Sequence, residues 1–266
     1  KLMDPIKKMK EAAREGWSTF APFETTTGAV APALVKFAGI GGNSRVLDVG
    51  CGTGVVGVTA ARVGAKVTGL DLTPALLTRA AENAALANVT VEFLEGDVED
   101  LPFEDAEFDF VVSQFGHMFG PRPDITIREM LRVLKPGGIV AFSTWPPELY
   151  TGRMFKQIGS YSPPPPAGVS SPVAWGDPTV VRQYLGEAVT DIVFNSGTML
   201  NPALSPQHAR VFMEENAGPV SRLVDSLAGD PARLAQFREE FESLISEYFD
   251  NNVVRQDFLM TRAVKI

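Results

Sequence analysis

Thiols and imidazoles are the scarcest reactive groups in this chain. Cys51 is the single cysteine among 266 residues, which excludes an internal disulfide and any site built from several thiolates. The two histidines, His117 and His208, stand 91 residues apart, so no local His-x-His metal motif exists and no metal is expected. No apolar run approaches the ~18 residues that mark a membrane-spanning helix. Basic charge is also short. Lys+Arg numbers 24 against 32 Asp+Glu, a net charge of −8, which argues against a general nucleic-acid binder. The opening Lys1-Leu2-Met3-Asp4 is basic for only a few residues, and no apolar signal region follows it. Lys1 and Leu2 read as additions before a natural start at Met3. These absences predict a cytoplasmic chain without a membrane span. The remaining composition, 45% hydrophobic and 21% charged, is that of an ordinary globular protein. The length fits one large domain or one domain with a cap.

Short apolar segments alternate with helical patterns from residue 40 to 145. Arg45–Val49, Lys66–Asp71, Val89–Leu94, Phe108–Phe115 and Ile139–Trp145 read as strands. Helices are predicted between them. One runs from Gly54 to Val63, with Gly64 as its C-cap. Another opens at Thr73-Pro74, and a third is capped by Asp124 and closed by Lys135-Pro136-Gly137-Gly138. Strands alternating with helices imply a parallel sheet with right-handed crossovers. Beyond it, residues 146–190 carry Pro146-Pro147 and the run Pro163–Pro166, predicting a cap loop and helix. Asp191–Leu200 and Gln256–Val264 read as further strands, with a helical insertion over 205–250 between them. The opening helix, Pro5–Glu15, places Ile6, Met9 and Ala13 at helical spacing. It predicts an N-terminal helical lid over residues 1–35, ahead of a ligand-binding core over 36–145.

The chemistry concentrates in Asp48-Val49-Gly50-Cys51-Gly52-Thr53-Gly54, a glycine loop between a predicted strand and a predicted helix. Glycines there let the backbone approach a ligand closely, and the helix start offers free N–H groups. Asp71 ends the second strand 21 residues after Gly50, where a carboxylate can accept both ribose hydroxyls of an adenosine cofactor. Gly52-Thr53-Gly54-Val55-Val56-Gly57 also matches the dinucleotide pattern, which keeps an NAD-dependent oxidoreductase as an alternative. Asp48 and the shifted glycine register count against it. A carboxylate at Asp48 would repel a pyrophosphate and suits a cofactor with a cationic amino-acid tail.

Val46 to Gly54 resembles the first motif of the class I S-adenosylmethionine-dependent methyltransferases. Three further segments resemble that family in the right order: Gly69 to Pro74, Glu95 to Phe103, and Phe108 to Ser113 with Leu131 to Gly138. The likeness is greatest to the small-molecule branch that includes the ubiquinone and menaquinone C-methyltransferases. It implies a seven-stranded, mostly parallel, doubly wound α/β sheet. The last strand would be antiparallel, with helices on both faces and a helical cap inserted between the last two strands. It implies S-adenosylmethionine as cofactor and S-adenosylhomocysteine as product. Carried onto this chain, it places Gly50, Cys51 and Gly52 under the methionine part. Asp48 would orient the tail, Asp71 take the ribose hydroxyls and Leu72 pack on the adenine. Asp97 and Val98 would meet the adenine edge, and Ser113 would stand beside the sulfonium.

Methyl transfer from a sulfonium is an in-line displacement that needs proximity and alignment, and a base only where the acceptor must lose a proton. The candidate base or substrate contact is His117, after the fourth strand, followed by Met118. Trp17, Phe20 and Phe23 are expected to form a substrate lid, with Trp145 at the pocket mouth. The quinone methyltransferases share Phe115-Gly116 but differ at His117-Met118 and at Ser143-Thr144-Trp145. A quinone-precursor C-methyltransferase is therefore one alternative, and a non-catalytic cofactor-binding module another. The expected partner is a small-molecule acceptor, not nucleic acid. The oligomeric state stays open.

Overall fold

The computed structural model describes residues 4–266, so the expected start at Met3 lies outside the described residues. Helix α1 (Pro5–Gly16) starts where the Asp4 carboxylate accepts the Ile6 N–H at 3.0 Å and Pro5 presets the first turn. Two short 3-10 turns, Trp17–Thr19 and Ala21–Phe23, lead into α2 (Glu24–Ala38). Next come β1 (Arg45–Val49), α3 (Val55–Arg62), β2 (Lys66–Asp71), α4 (Pro74–Leu86), β3 (Val91–Glu95) and β4 (Phe108–Gln114). After a 3-10 turn at His117–Phe119 follow α5 (Pro123–Val133), β5 (Leu134–Thr144), α6 (Tyr150–Tyr161) and α7 (Pro178–Leu185). The chain closes with β6 (Val189–Pro202), α8 (Pro206–Asn216), α9 (Gly218–Ser226), α10 (Pro231–Tyr248), β7 (Phe249–Asp250) and β8 (Val253–Lys265).

The strands form one sheet in the order β3-β2-β1-β4-β5-β8-β6, with β7 pairing on β8. β1 to β5 are parallel, and β8 runs antiparallel to both β5 and β6. This is the expected doubly wound sheet with a helical insertion, extended by the two residues of β7. Buried parallel strands read as apolar runs because both faces are covered, and Val46, Leu47 and Val49 of β1 are fully buried.

Local boundaries differ where side chains take other jobs. Arg122, not Asp124, holds the cap position of α5, and Asp124 lies in its first turn. Thr73 precedes α4 without a capping bond. Its N–H is taken by Asp71 Oδ1 at 2.9 Å. β5 starts at Leu134, ahead of the expected Ile139, because Leu134 already pairs with Phe108. The expected lid boundary at residue 35 falls inside α2, whose Ala31, Leu34, Val35 and Ala38 belong to the main core.

Two apolar cores result. The main one lies around the sheet. The second joins Phe23 to α6, α8, α9 and α10 through Tyr150, Met154, Val220, Leu223, Phe237 and Phe241. Burying each such aromatic side chain is worth about 1.5–3 kcal/mol, so the cap has its own reason to fold. A cleft runs between the two cores, along the carboxyl ends of β1 to β5.

Candidate active site

Backbone geometry builds the first wall. Gly50, Gly52 and Gly54 have φ of 65°, 53° and 78°, a region that disfavours side chains. A Cβ on Gly50 would stand 2.8 Å from Gly116 Cα, so the loop packs directly on the turn after β4. A Cβ on Gly52 would meet no protein atom within 4 Å, because that side opens into the cleft. The Gly52 N–H donates to Asp71 Oδ2 at 2.8 Å, and the Thr73 N–H to Oδ1 at 2.9 Å. These bonds fix the carboxylate from the protein side and leave lone pairs for the cleft that Asp71 lines. Burial pushes the Asp71 carboxyl above its usual range, against the pull of the backbone N–H donors.

The second wall follows β3. Asp97 Oδ1 accepts the Glu99 N–H at 2.9 Å, and Lys10 of α1 binds Asp97 Oδ2 and Glu99 Oε2 at 2.5 Å each. Burial raises Glu99, but Arg122 and Lys10 outweigh it, so this carboxyl titrates below its usual range. Arg14 reaches Glu95 at 2.6 Å. α1 thereby lies along this edge and turns Met9, Lys10 and Ala13 into the cleft, with Trp17 of the next turn beside them.

The third wall is apolar. Phe115 stacks on Trp145 with ring centroids 3.9 Å apart. Trp17, Phe20 and Phe23 form a chain of ring contacts, 5.4 Å and then 4.8 Å between centroids. Met154 and Phe155 of α6, Met199 of β6, Met213 of α8 and Val220 of α9 complete it. The cleft encloses about 1510 Å³, including the space at its mouth. Its ionisable lining residues are Lys10, Cys51, Asp71 and Asp97, all on the first two walls. Among the described residues no group of three or more His, Cys, Asp or Glu is placed to hold a metal ion.

Of the expected site residues, Gly50, Cys51, Gly52, Asp71, Leu72, Asp97, Val98, Trp17, Phe20, Phe23 and Trp145 line this one cleft. Four do not. His117 is fully buried behind it, its ring 4.5 Å from Phe142 and 4.6 Å from Trp175, with neither nitrogen hydrogen-bonded. Burial lowers its pKa from 6.5 to about 3, so it stays neutral. The 3-10 turn points it inward, which corrects its expected role as base. Met118 is buried beside it. Ser113 donates to the Val49 carbonyl at 2.6 Å and accepts the His117 N–H at 2.9 Å, tying β4 to the turn instead of facing a ligand. Asp48 lies beneath the loop, where its Oδ2 accepts the Gly57 N–H at 2.9 Å and anchors α3. Burial raises its carboxyl to about 8.

Lys10, Gln114, Thr151, Met199, Met213 and Gln256 line the cleft without having been singled out from the sequence. Only the apolar spacing of the first helix, which faces Met9 and Ala13 inward, hinted at Lys10. Two arginines of the cap are paired away from the cleft. Arg153 binds Glu247 at 2.6 Å, and Arg210 binds Glu242 at 2.7 Å and Glu214.

Comparison with known proteins agrees with this geometry. Residues 46–138 match the family model of a methyltransferase domain. The chain is 36% identical to an uncharacterized protein of Mycobacterium tuberculosis over 235 residues, 88% of this chain and 86% of that one. It is 42% identical over 111 residues to the malonyl-(acyl-carrier protein) O-methyltransferase of Erwinia pyrifoliae, which spans 42% of this chain and 41% of that one. Its fold matches that of a candidate methyltransferase of Bacillus halodurans, with a TM-score of 0.61, 21% identity, and coverage of 89% of this chain and 99% of that one.

Proposed function

The chain belongs to the S-adenosylmethionine-dependent methyltransferases, and within that family we propose that it methylates a small, largely apolar molecule held against the aromatic and methionine wall. One observation carries this reading. A polar, backbone-built edge and an apolar, cap-built wall face each other across a single cleft.

The residues present fit the cofactor. The open space over Gly52 leaves room for a ligand against bare backbone, and a fixed carboxylate stands at the end of β2. Asp71 would accept the ribose hydroxyls, with Leu72 packed on the adenine face. Asp97 would accept the adenine amino group, and Val98 would donate a backbone N–H to the ring. Gly50, Cys51 and Gly52 would run under the methionine part. Asp48 and Ser113 act from behind, holding the loop and the β4 turn in shape. S-adenosylmethionine supplies an activated methyl group. The protein's share is to fix that group and the acceptor in line and to exclude water with the aromatic wall. No ionisable side chain lines the apolar wall among the described residues, so the acceptor is read as one whose nucleophile needs no enzymic base. A quinone precursor, supported by Phe115-Gly116, is a second acceptor; its ring carbon loses a proton on methylation, and with no ionisable side chain on this wall that proton would pass to solvent. The likeness to the Erwinia O-methyltransferase spans less than half of this chain, so it bears on the cofactor more than on the acceptor.

Calorimetric titration with S-adenosylmethionine, S-adenosylhomocysteine and NAD tests the cofactor. Micromolar binding of the two adenosyl ligands without NAD is expected. Binding of NAD alone overturns the reading and restores the dinucleotide alternative. Release of S-adenosylhomocysteine with an apolar acceptor present then separates an enzyme from a binding module.

A further inference from the structure

The apolar wall carries a small polar relay. Asn201 of β6 donates through Nδ2 to Gln256 Oε1 on β8, and Gln256 Nε2 donates to Thr151 Oγ1 at 3.0 Å. Gln256 and Thr151 are both nearly fully buried, and both line the cleft among Met154, Phe155 and Met199. The chain has a direction. With Asn201 donating to the Gln256 oxygen, the Gln256 nitrogen faces Thr151, and the Thr151 oxygen accepts. Its own proton is not donated to any group among the described residues. By contrast, the Thr27 hydroxyl is committed to the Phe23 carbonyl at 2.9 Å, and Gln114 Nε2 donates to the Thr27 carbonyl at 2.9 Å, which leaves Gln114 Oε1 as a buried acceptor, and not a donor, without a partner among the described residues. A buried hydroxyl donor without an acceptor costs free energy, and a hydroxyl that accepts a hydrogen bond becomes a stronger donor.

We propose that Thr151 is the specificity residue of the acceptor site. Its hydroxyl donates to one oxygen of an otherwise apolar acceptor, such as a ring carbonyl, ether or phenol oxygen. The relay behind it, Asn201 to Gln256, sets the direction of that bond. α6 and β8 bring the pair together from positions 105 residues apart, so the contact depends on the packing of the cap on the sheet. The inference rests on the reading of the apolar wall as the acceptor site. A ligand lacking the oxygen leaves the donor unpaired, which is how a buried polar group discriminates between molecules of similar shape.

The test uses two probes of similar shape, benzophenone and diphenylmethane, which differ by one carbonyl oxygen. Affinities are measured on the full chain saturated with S-adenosylhomocysteine. Benzophenone is expected to bind the unaltered protein about tenfold more tightly than diphenylmethane, the scale of one net hydrogen bond. Thr151→Val should abolish that preference while leaving diphenylmethane and S-adenosylhomocysteine within about twofold, and Thr151→Ser should restore it. Equal binding of the two probes to the unaltered protein overturns the proposal, with no variant needed. So does a preference that survives Thr151→Val in a folded protein. A preference for diphenylamine, a donor, that Thr151→Val removes would mean that the relay runs the other way, and overturns it too. If S-adenosylhomocysteine binds and neither probe does, the apolar wall is not an acceptor site, and the underlying reading fails instead.

Discussion

The two sides of the cleft are built by different means. The side proposed for the cofactor is backbone: a glycine turn, strand ends and N–H groups, with Asp71 and Asp97 fixed by bonds from neighbouring residues. The side proposed for the acceptor is side chain: rings and thioethers from α6, β6, α8 and α9, gathered across the second core. A backbone site tolerates little change, because its shape is set by dihedral angles that few residues adopt. A side-chain wall can be re-cut one residue at a time while the helices beneath it stay packed.

The sharpest break of that comparison is Asp71→Ala. It removes a carboxylate read as two charge-assisted bonds to the ribose and frees the Gly52 and Thr73 N–H groups. At about 1.5–3 kcal/mol per charged bond, S-adenosylhomocysteine affinity should fall at least 100-fold, roughly. Benzophenone binding should stay within about twofold. Unchanged cofactor affinity in a folded variant would end the ribose assignment.

Next in size is Gly50→Ala. The residue sits at φ 65°, and its new methyl would meet Gly116 Cα at 2.8 Å. Strain of this kind costs about 1–3 kcal/mol in folding, and here both backbones are held. A lowered urea midpoint with weakened cofactor binding is expected. A variant as stable as the parent would mean that the loop and the β4 turn are not in contact.

The same division explains what could be read in advance. Gly50, Gly52, Asp71 and Asp97 are placed by local geometry, so their spacing along the chain already brings them to one edge of the cleft. The strand alternation that placed them also placed most of the sheet. Phe115, Thr151, Met199, Met213 and Gln256 meet only after α6, β6, α8 and β8 assemble, and each has the pattern of an ordinary core residue. His117 shows the limit within a single turn. Its place after β4 pointed to the cleft, but the 3-10 turn rotates it onto Phe142 and onto Trp175, which arrives from 58 residues further along the chain. Asp48 was misplaced for a related reason, since a strand end facing a glycine loop has both a front and a back.

His117 and Asp48 give the third prediction, for the layer behind the cleft. His117 is neutral in the folded chain because burial lowers its pKa from 6.5 to about 3. It therefore contributes stability that is present above pH 6.5 and lost as pH falls toward about 3. Asp48 acts oppositely. Burial raises it from 3.8 to about 8, so its contribution is present below 3.8 and lost as pH rises toward 8. Between about 3.8 and 6.5 the two slopes oppose each other, flattening their joint contribution. His117→Phe, a buried apolar replacement, removes only the first. Its stability relative to the parent should improve by about 2 kcal/mol between pH 7 and pH 5, read from urea midpoints. A difference independent of pH would return His117 to solvent, and so to the cleft.

The smallest effect is expected at the edge where α1 meets the cofactor side. Lys10 and Arg14 both pair with acids there, but their surroundings differ. Glu99, bound by Lys10, has a side chain 1% exposed, whereas Arg14 and Glu95 are 47% and 48% exposed. Water and salt screen the outer pair, and holding two long side chains in one geometry costs entropy. Arg14→Ala should change stability by under about 0.5 kcal/mol and cofactor affinity by less than about twofold, with the residual effect gone in high salt. A larger, salt-resistant loss would show that α1 is held over the cofactor by its exposed face. The boundary between backbone site and side-chain wall would then have to be drawn through the helix, with Arg14 on the cofactor side.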